Sequence, residues 1–203
     1  MTAIKVITTL SAGAVIASCL TISSARSNEC PTSKTASNGF IVERGERMKL
    51  EVLRSGDTET RTVLRYDGRA LTEVTLFQGL FELDRLDRGK RNTYRPISNL
   101  AKAYPPVPGK KMTAILEGTD GDSKVTRSYV LNVRKEVETL AVGACKYAVM
   151  LIDWNWLNDK SKPVFMHTDY YAPDLKLILA KEYRESDGSR TLNKFDKIYP
   201  SAR

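Results

Sequence analysis

Residues 60–77 read Thr60-Arg61-Thr62-Val63-Leu64-Arg65-Tyr66-Asp67-Gly68-Arg69-Ala70-Leu71-Thr72-Glu73-Val74-Thr75-Leu76-Phe77. Two runs rich in β-branched, aromatic and aliphatic residues flank Asp67-Gly68. That dipeptide adopts the positive φ values of a two-residue hairpin turn with little strain, so the stretch predicts an antiparallel hairpin. The same alternation of short extended runs and turn residues continues on both sides. Upstream, Phe40 to Arg44 and Met48 to Arg54 read as strands, with Met48, Leu50 and Val52 on one face and Ser55-Gly56-Asp57 as the next turn. Downstream, Gly79 marks a bend or bulge before Leu80 to Leu86, and Arg88-Gly89-Lys90 turns the chain into an extended piece at Thr93-Tyr94.

The rhythm breaks at residues 95–111, where Pro96, Pro105, Pro106 and Pro108 each remove a backbone donor. A crossing loop is expected there, with at most one helical turn at Ser98 to Ala103. Lys111 to Glu117 restarts the sheet, and Asp120-Gly121-Asp122 turns it into a long strand from Ser123 to Val133. Residues 133–152 carry both periods. Val133, Val137, Leu140 and Ala141 fit a helix, whereas Val137, Thr139 and Ala141 alternate, and Gly143 interrupts either. The reading adopted is strand, short turn, strand. Pro163 to Thr168, Leu175 to Tyr183 and Arg190 to Ile198 complete the set, with turns at 158–161, 169–174 and 186–189. About ten antiparallel strands with almost no helix predict an all-β chain. It should form a single strongly curled antiparallel sheet or an open β-barrel-like domain over residues 39–203, because curling hides sheet edges and makes one interior.

Ahead of this domain, residues 1–25 place Lys5 before an apolar stretch from Val6 to Ile16, followed by small residues, as in a secretory signal peptide. Two processing sites compete. Ser23-Ser24-Ala25 offers the small side chains a signal peptidase accepts. Ile16-Ala17-Ser18-Cys19 has the form of a bacterial lipobox, in which Cys19 becomes the lipid attachment site. Residues 26–38 are polar and aperiodic, and read as a flexible linker. Either route leaves Cys30 and Cys145, and an oxidising compartment favours a disulfide between them. The alternative is two unpaired thiols, with Cys145 buried.

Most catalytic chemistry finds no footing in this sequence. No nucleophile elbow, phosphate-binding loop, dinucleotide fingerprint or zinc-protease motif is present, and no cofactor is called for. The single histidine, His167, excludes multi-histidine metal sites, and no metal ligands are assigned. His167 lies within an alternating strand, which predicts a surface or half-buried residue rather than a base. The close carboxylates Asp84 and Asp87, Asp120 and Asp122, and Glu136 and Glu138 lack the apolar surroundings that raise an acid's pKa. Lys+Arg 32 against Asp+Glu 24 gives a net charge of +8. The cations from Arg61 to Arg95 are interleaved with acids, however, which describes a solvated face, and export argues against a nucleic-acid partner. Trp154, Trp156, Tyr170 and Tyr171 are the ligand-binding candidates, bordering adjacent strand ends where a barrel mouth would lie. The same four rings also suit a plug of core at that end.

The turn Asp169-Tyr170-Tyr171-Ala172-Pro173-Asp174-Leu175, followed by Leu179, Glu182 and Tyr183, resembles DUF3108-like and lipoprotein-carrier-like periplasmic families with a curled antiparallel sheet. Tyr104-Pro105-Pro106-Val107-Pro108-Gly109-Lys110 and Val142-Gly143-Ala144-Cys145-Lys146 fit the same arrangement, so the resemblance spans residues 104–199. It implies a half-barrel around an apolar interior, in the periplasm or on the periplasmic face of the outer membrane of a Gram-negative bacterium. It also implies non-enzymatic handling of an apolar ligand, a lipid, a lipoprotein or another envelope protein, and it carries no catalytic residues with it. On this reading the interior is open and the strand closure has a gap. The alternative is an interaction module, an inhibitor or assembly factor acting through its loops on a solid core.

Overall fold

The computed structural model describes residues 29–55, 57–157 and 162–201. The signal peptide, the lipobox with Cys19, both processing sites, Gly56 and the turn at 158–161 lie outside the described residues. The described residues form one 13-stranded antiparallel sheet. Its strands are β1 (Phe40–Arg44), β2 (Met48–Ser55), β3 (Glu59–Tyr66), β4 (Arg69–Phe77), β5 (Phe81–Asp87), β6 (Lys90–Pro96) and β7 (Lys111–Asp120). There follow β8 (Ser123–Val142), β9 (Cys145–Leu157), β10 (Pro163–Ala172), β11 (Leu177–Arg184), β12 (Arg190–Lys194) and β13 (Lys197–Pro200). An α-helical turn, α1 (Leu100–Ala103), sits in the proline-rich crossing, where the Asn99 side chain accepts from the Lys102 N–H at 3.3 Å.

The spatial order is β12-β11-β10-β9-β8-β7-β6-β5-β4-β3-β2-β1-β13. Strands one to twelve are a plain meander, each paired with its sequence neighbours. β13 alone leaves the sequence order and pairs with β1, Phe40 opposite Pro200 and Val42 opposite Ile198. Arg190 to Ile198 is therefore two strands on opposite edges of the sheet, joined only by Phe195-Asp196. A sheet whose two edges are consecutive in the chain must curl until they meet. They meet without a ladder: the Phe195 N–H donates to Leu179 O at 3.3 Å, and the Asp196 N–H to Glu43 O at 2.7 Å. The Asp196 carboxylate accepts from the Gly45 N–H at 2.7 Å. The sheet is curled and left open at this seam.

The ambiguous stretch 133–142 is strand, because Leu140 and Val142 face the apolar cluster that Tyr147, Val149 and Leu151 build on β9. Gly143, at φ +60°, makes the tight turn between the two long strands. The turn expected at 169–174 begins later. β10 runs on through Tyr170, Tyr171 and Ala172, since Asp169, Tyr171 and Ala172 are all buried, and the chain reverses over Pro173 to Lys176.

Both faces of β9 are covered. One cluster gathers Phe40, Val42, Val52, Val142, Tyr147, Val149, Leu151, Leu177 and Leu179. Ala36, from a 3-10 turn at Ala36–Asn38, packs into it, so the packed chain begins ahead of Gly39. A Cys30–Cys145 disulfide fastens this lead-in to the start of β9. The other cluster holds Phe81, Leu100, Met112, Leu116, Leu131, Ile152 and Trp154. On the outer face, arginines meet acids across neighbouring strands: Arg61 with Glu73 at 2.6 Å, Arg65 with Glu51 at 2.7 Å, Arg91 with Asp84 at 2.8 Å and Arg95 with Glu117 at 2.9 Å. Exposed pairs of this kind contribute at most about 1 kcal/mol each. Their value lies in keeping the outer face soluble and the strands in register.

Candidate functional site

Period two sends Leu50, Thr62, Leu64, Thr72, Val74 and Leu76 of β2, β3 and β4 to the inside of the curl. Because the sheet bends back on itself, these residues face Ile178, Ala180 and Tyr183 of β11 rather than a packed layer. Between the two walls lies a cleft of about 510 Å³, within the size range of roughly 300–1,000 Å³ for small-molecule sites. Leu50, Leu64, Val74, Leu76, Ile178 and Tyr183 are only half-buried or exposed, so apolar surface remains available along the cleft.

One end of the cleft is closed by the β4–β5 turn. Gly79 stands at φ +71°, and a Cβ built there would lie 1.8 Å from Lys176 O, so the two turns touch through backbone. A set of hydrogen bonds holds this contact. The Tyr171 hydroxyl donates to Gln78 O at 2.8 Å, and Gln78 Nε2 donates to Asp57 O at 3.2 Å. The Lys176 ammonium also donates to Asp57 O. Tyr104 adds its hydroxyl 3.2 Å from that of Tyr171.

A smaller recess of about 150 Å³ adjoins the cleft, sharing Leu80, Glu82, Ile178 and Lys181 with it. Its wall is aromatic: Phe81 and Tyr129 pack on Trp154 with ring centres 5.6 and 5.3 Å away, and His167 stacks on the indole at 6.1 Å. Polar groups converge at the join of the two spaces. His167 and Asp169 share a face of β10, and Lys181 stands directly across from Asp169 on β11. The Lys181 ammonium donates to Asp169 Oδ1 at 2.8 Å, and His167 Nε2 lies 3.2 Å from both. Glu82 is bound by Arg85, at 2.9 Å from Nε and 2.7 Å from Nη2. That hydrogen-bonded pairing holds the Arg85 guanidinium above its ordinary value. Burial raises the Tyr94 phenol. Tyr94 Oη, Trp154 Nε1 and Asp169 Oδ2 all belong to residues lining the recess, and among the described residues none of the three atoms has a hydrogen-bond partner. No serine, threonine or cysteine is among the residues described around the recess. Among the described residues no three His, Cys, Asp or Glu side chains gather as a metal site, and no helix is long and apolar enough to cross a membrane.

The four aromatic candidates separate. Trp154 walls the recess, 7% exposed. Trp156 is 48% exposed opposite Val164 at the far end of β9. Tyr171 is fully buried and braces the Gly79 contact, while Tyr170 packs against the cluster on the other face of the sheet. The antiparallel register sets the two tyrosines beside Leu151 and Met150 and away from Trp156, so the rings do not form one mouth. An open apolar interior was expected, but not which residues line it. Alternation set Met48, Leu50 and Val52 on one face of β2, but did not show that β11 faces them. The pairing of Asp169 with His167 was available in principle, as two polar residues of the same parity inside a strand.

No family model matches the chain, so the likeness of residues 104–199 to two periplasmic families stays a resemblance. No curated protein matches it either. Among solved structures the chain is similar to the hypothetical lipoprotein YmcC from Escherichia coli, at 10% identity and a TM-score of 0.49 over 82% of this chain and 88% of that one.

Proposed function

We propose that this chain is an exported, non-enzymatic protein of the bacterial cell envelope that binds an apolar ligand, a lipid or the acyl part of a lipoprotein inside its curled sheet. The observation that carries the reading is the open cleft, with aliphatic residues of β2–β4 and β11 left part-exposed inside a sheet that does not close. A monomer gains nothing from unburied aliphatic side chains in its own interior, and each methylene that covers them contributes about 0.8 kcal/mol. The Cys30–Cys145 disulfide supports folding in an oxidising compartment such as the periplasm. The hydroxyls described in the recess lining are the phenols of Tyr94 and Tyr129, and no serine, threonine or cysteine is described there for His167 and Asp169 to activate, which supports binding over acyl transfer. Anchoring through an acylated Cys19 and release after Ala25 remain the two routes for the N-terminus. The intact mass of the protein from its native host separates them.

The test is calorimetric titration with a neutral alkyl probe, dodecyl maltoside, below its critical micelle concentration. Binding is expected with the wild-type protein and is expected to be lost in Leu64→Trp, whose indole fills the cleft from β3. A Leu64→Trp protein that binds as well as the wild type, or a wild type that binds no alkyl probe, refutes the reading. A second reading, an interaction module acting on another envelope protein, is favoured by the exposed apolar group Trp156, Val164 and Met166. It predicts that Trp156→Ser weakens a complex in the native host while alkyl binding is unaffected.

A further inference from the structure

The charged residues around the cleft sort themselves by partner. Of the cations lining it, Arg85 is bound to Glu82 and Lys181 to Asp169. Arg44 and Lys194 line it as well, and among the described residues neither has an ion-pair or hydrogen-bond partner. Both stand at the seam. The residues on either side of Arg44, Glu43 and Gly45, are each hydrogen-bonded to Asp196, two positions beyond Lys194. Asp196 spends its Oδ2 on the Gly45 N–H and forms no ion pair among the described residues. Cations from the two sides of the seam thus reach the same opening, while the lining contains one acid, Glu82, already neutralised.

Register fixes where this cationic end lies along the cleft. Arg44 pairs with Met48, which is aligned with Tyr66 and so with Arg69. Gly79 follows the opposite end, where Ser55, Glu59 and Phe77 are aligned. The two ends are separated by the length of β2, roughly 23 Å at about 3.3 Å per residue. Between them run Leu50, Leu64, Val74 and Leu76. The cleft is an apolar trough, blocked by backbone at one end and carrying at the other two cations with no ion-pair partner among the described residues, beside the Asp196 carboxylate that binds the Gly45 N–H.

We propose that the ligand is an anionic amphiphile with a single alkyl chain, its acid group held between Arg44 and Lys194 and its chain lying over Leu64, Val74 and Leu76 toward Gly79. The inference rests on the apolar-ligand reading above and adds the sign and position of the head group. The chemistry is common to the carboxylate of a fatty acid and to the phosphate of a lysolipid. Guanidinium and ammonium groups donate charge-assisted hydrogen bonds to either.

The experiment titrates the full mature protein, disulfide intact, with four probes sharing one chain: dodecanoate, dodecyl phosphate, dodecyl maltoside and dodecyltrimethylammonium, each below its critical micelle concentration. Both anions are expected to bind at least about tenfold more tightly than the cation, with a gap that narrows as salt screens the head group. The tighter of the two anions identifies the source, fatty acid or phospholipid. Arg44→Glu combined with Lys194→Glu is expected to abolish or invert the preference. Both side chains are exposed, and an unchanged thermal midpoint shows that the variant folds. Equal binding of anion and cation, or a double variant with an unaltered preference, overturns the inference and leaves the apolar-ligand reading standing. Failure of all four probes, the neutral one included, overturns both.

Discussion

Replacing Cys30 and Cys145 together by alanine is the sharpest test of how this sheet is held. Alanine is preferable to serine because Cys145 is buried, and a serine hydroxyl there would lack a partner. The bridge closes a loop of 115 residues. In the chain-entropy treatment, opening a loop of that size gives the unfolded chain about 16 cal/mol/K, or about 4.8 kcal/mol at 25 °C. For a domain of this size each 1 kcal/mol moves the midpoint by roughly 2–4 °C, so the variant should melt about 10–20 °C lower. Urea unfolding followed by tryptophan fluorescence measures the loss directly, and the denaturant slope should rise, because an unbridged chain exposes more surface. A loss below about 1 kcal/mol refutes the reasoning. It would mean that residues 29–38 detach locally, Ala36 leaving its place beside Phe40 and Val52, while the sheet stays folded. Amide exchange would then show lost protection confined to that segment.

Two further substitutions probe the cleft and the core. Gly79→Ala forces an L side chain into a positive-φ conformation and drives its Cβ onto Lys176 O, so we expect a loss of at least about 3 kcal/mol and a loss of dodecyl maltoside binding in the same protein, read by thermal melting and calorimetry. Tyr147 carries a buried hydroxyl with no partner among the described residues, and burial pushes its pKa up to about 12 from 10.0. The folded state therefore favours the neutral phenol. That contribution is whole below pH 10 and is lost as pH rises from 10 toward 12. Tyr147→Phe should be more stable than the wild type by about 1 kcal/mol at neutral pH and should show a shallower alkaline decline, to which Tyr94 still contributes, as urea midpoints across pH 7–11.5 will show.

The local elements were legible because their signals are local. Asp67-Gly68 and Asp120-Gly121-Asp122 turn the chain where expected, and Asn99 with the prolines around it allows only the single turn α1. Strand alternation also set Met48, Leu50 and Val52 on one face of β2, and Met48 and Leu50 line the cleft. Two kinds of information were absent. The first is the partner of a strand that leaves the meander. Arg190 to Ile198 has the composition of one strand, and only the curl separates Lys194 from Lys197. The second is which faces meet across the interior. Arg44 and Lys194 lie 150 positions apart in sequence, and nothing near either one signals the other. Trp154, Trp156, Tyr170 and Tyr171 were legible as unusual, but Met166 of β10 is skipped in its pairing with β9 and Leu179 of β11 in its pairing with β10 beside Tyr170 and Tyr171, so the register that spaces the four rings was hidden. Such one-residue shifts leave no clear trace in an alternating sequence.

The pairing of Phe40 with Pro200 also has a consequence in time. β1 is made first among the strands, and its outer edge waits through the synthesis of all the others until β13 arrives. For that interval it presents unpaired N–H and C=O groups beside Phe40 and Val42, a ready template for another copy of the chain. Contacts of such sequence separation form late. The last strand therefore acts as a stopper, and a chain cut short after Lys194 would keep its meander but carry the open edge permanently, a seed for edge-to-edge assembly.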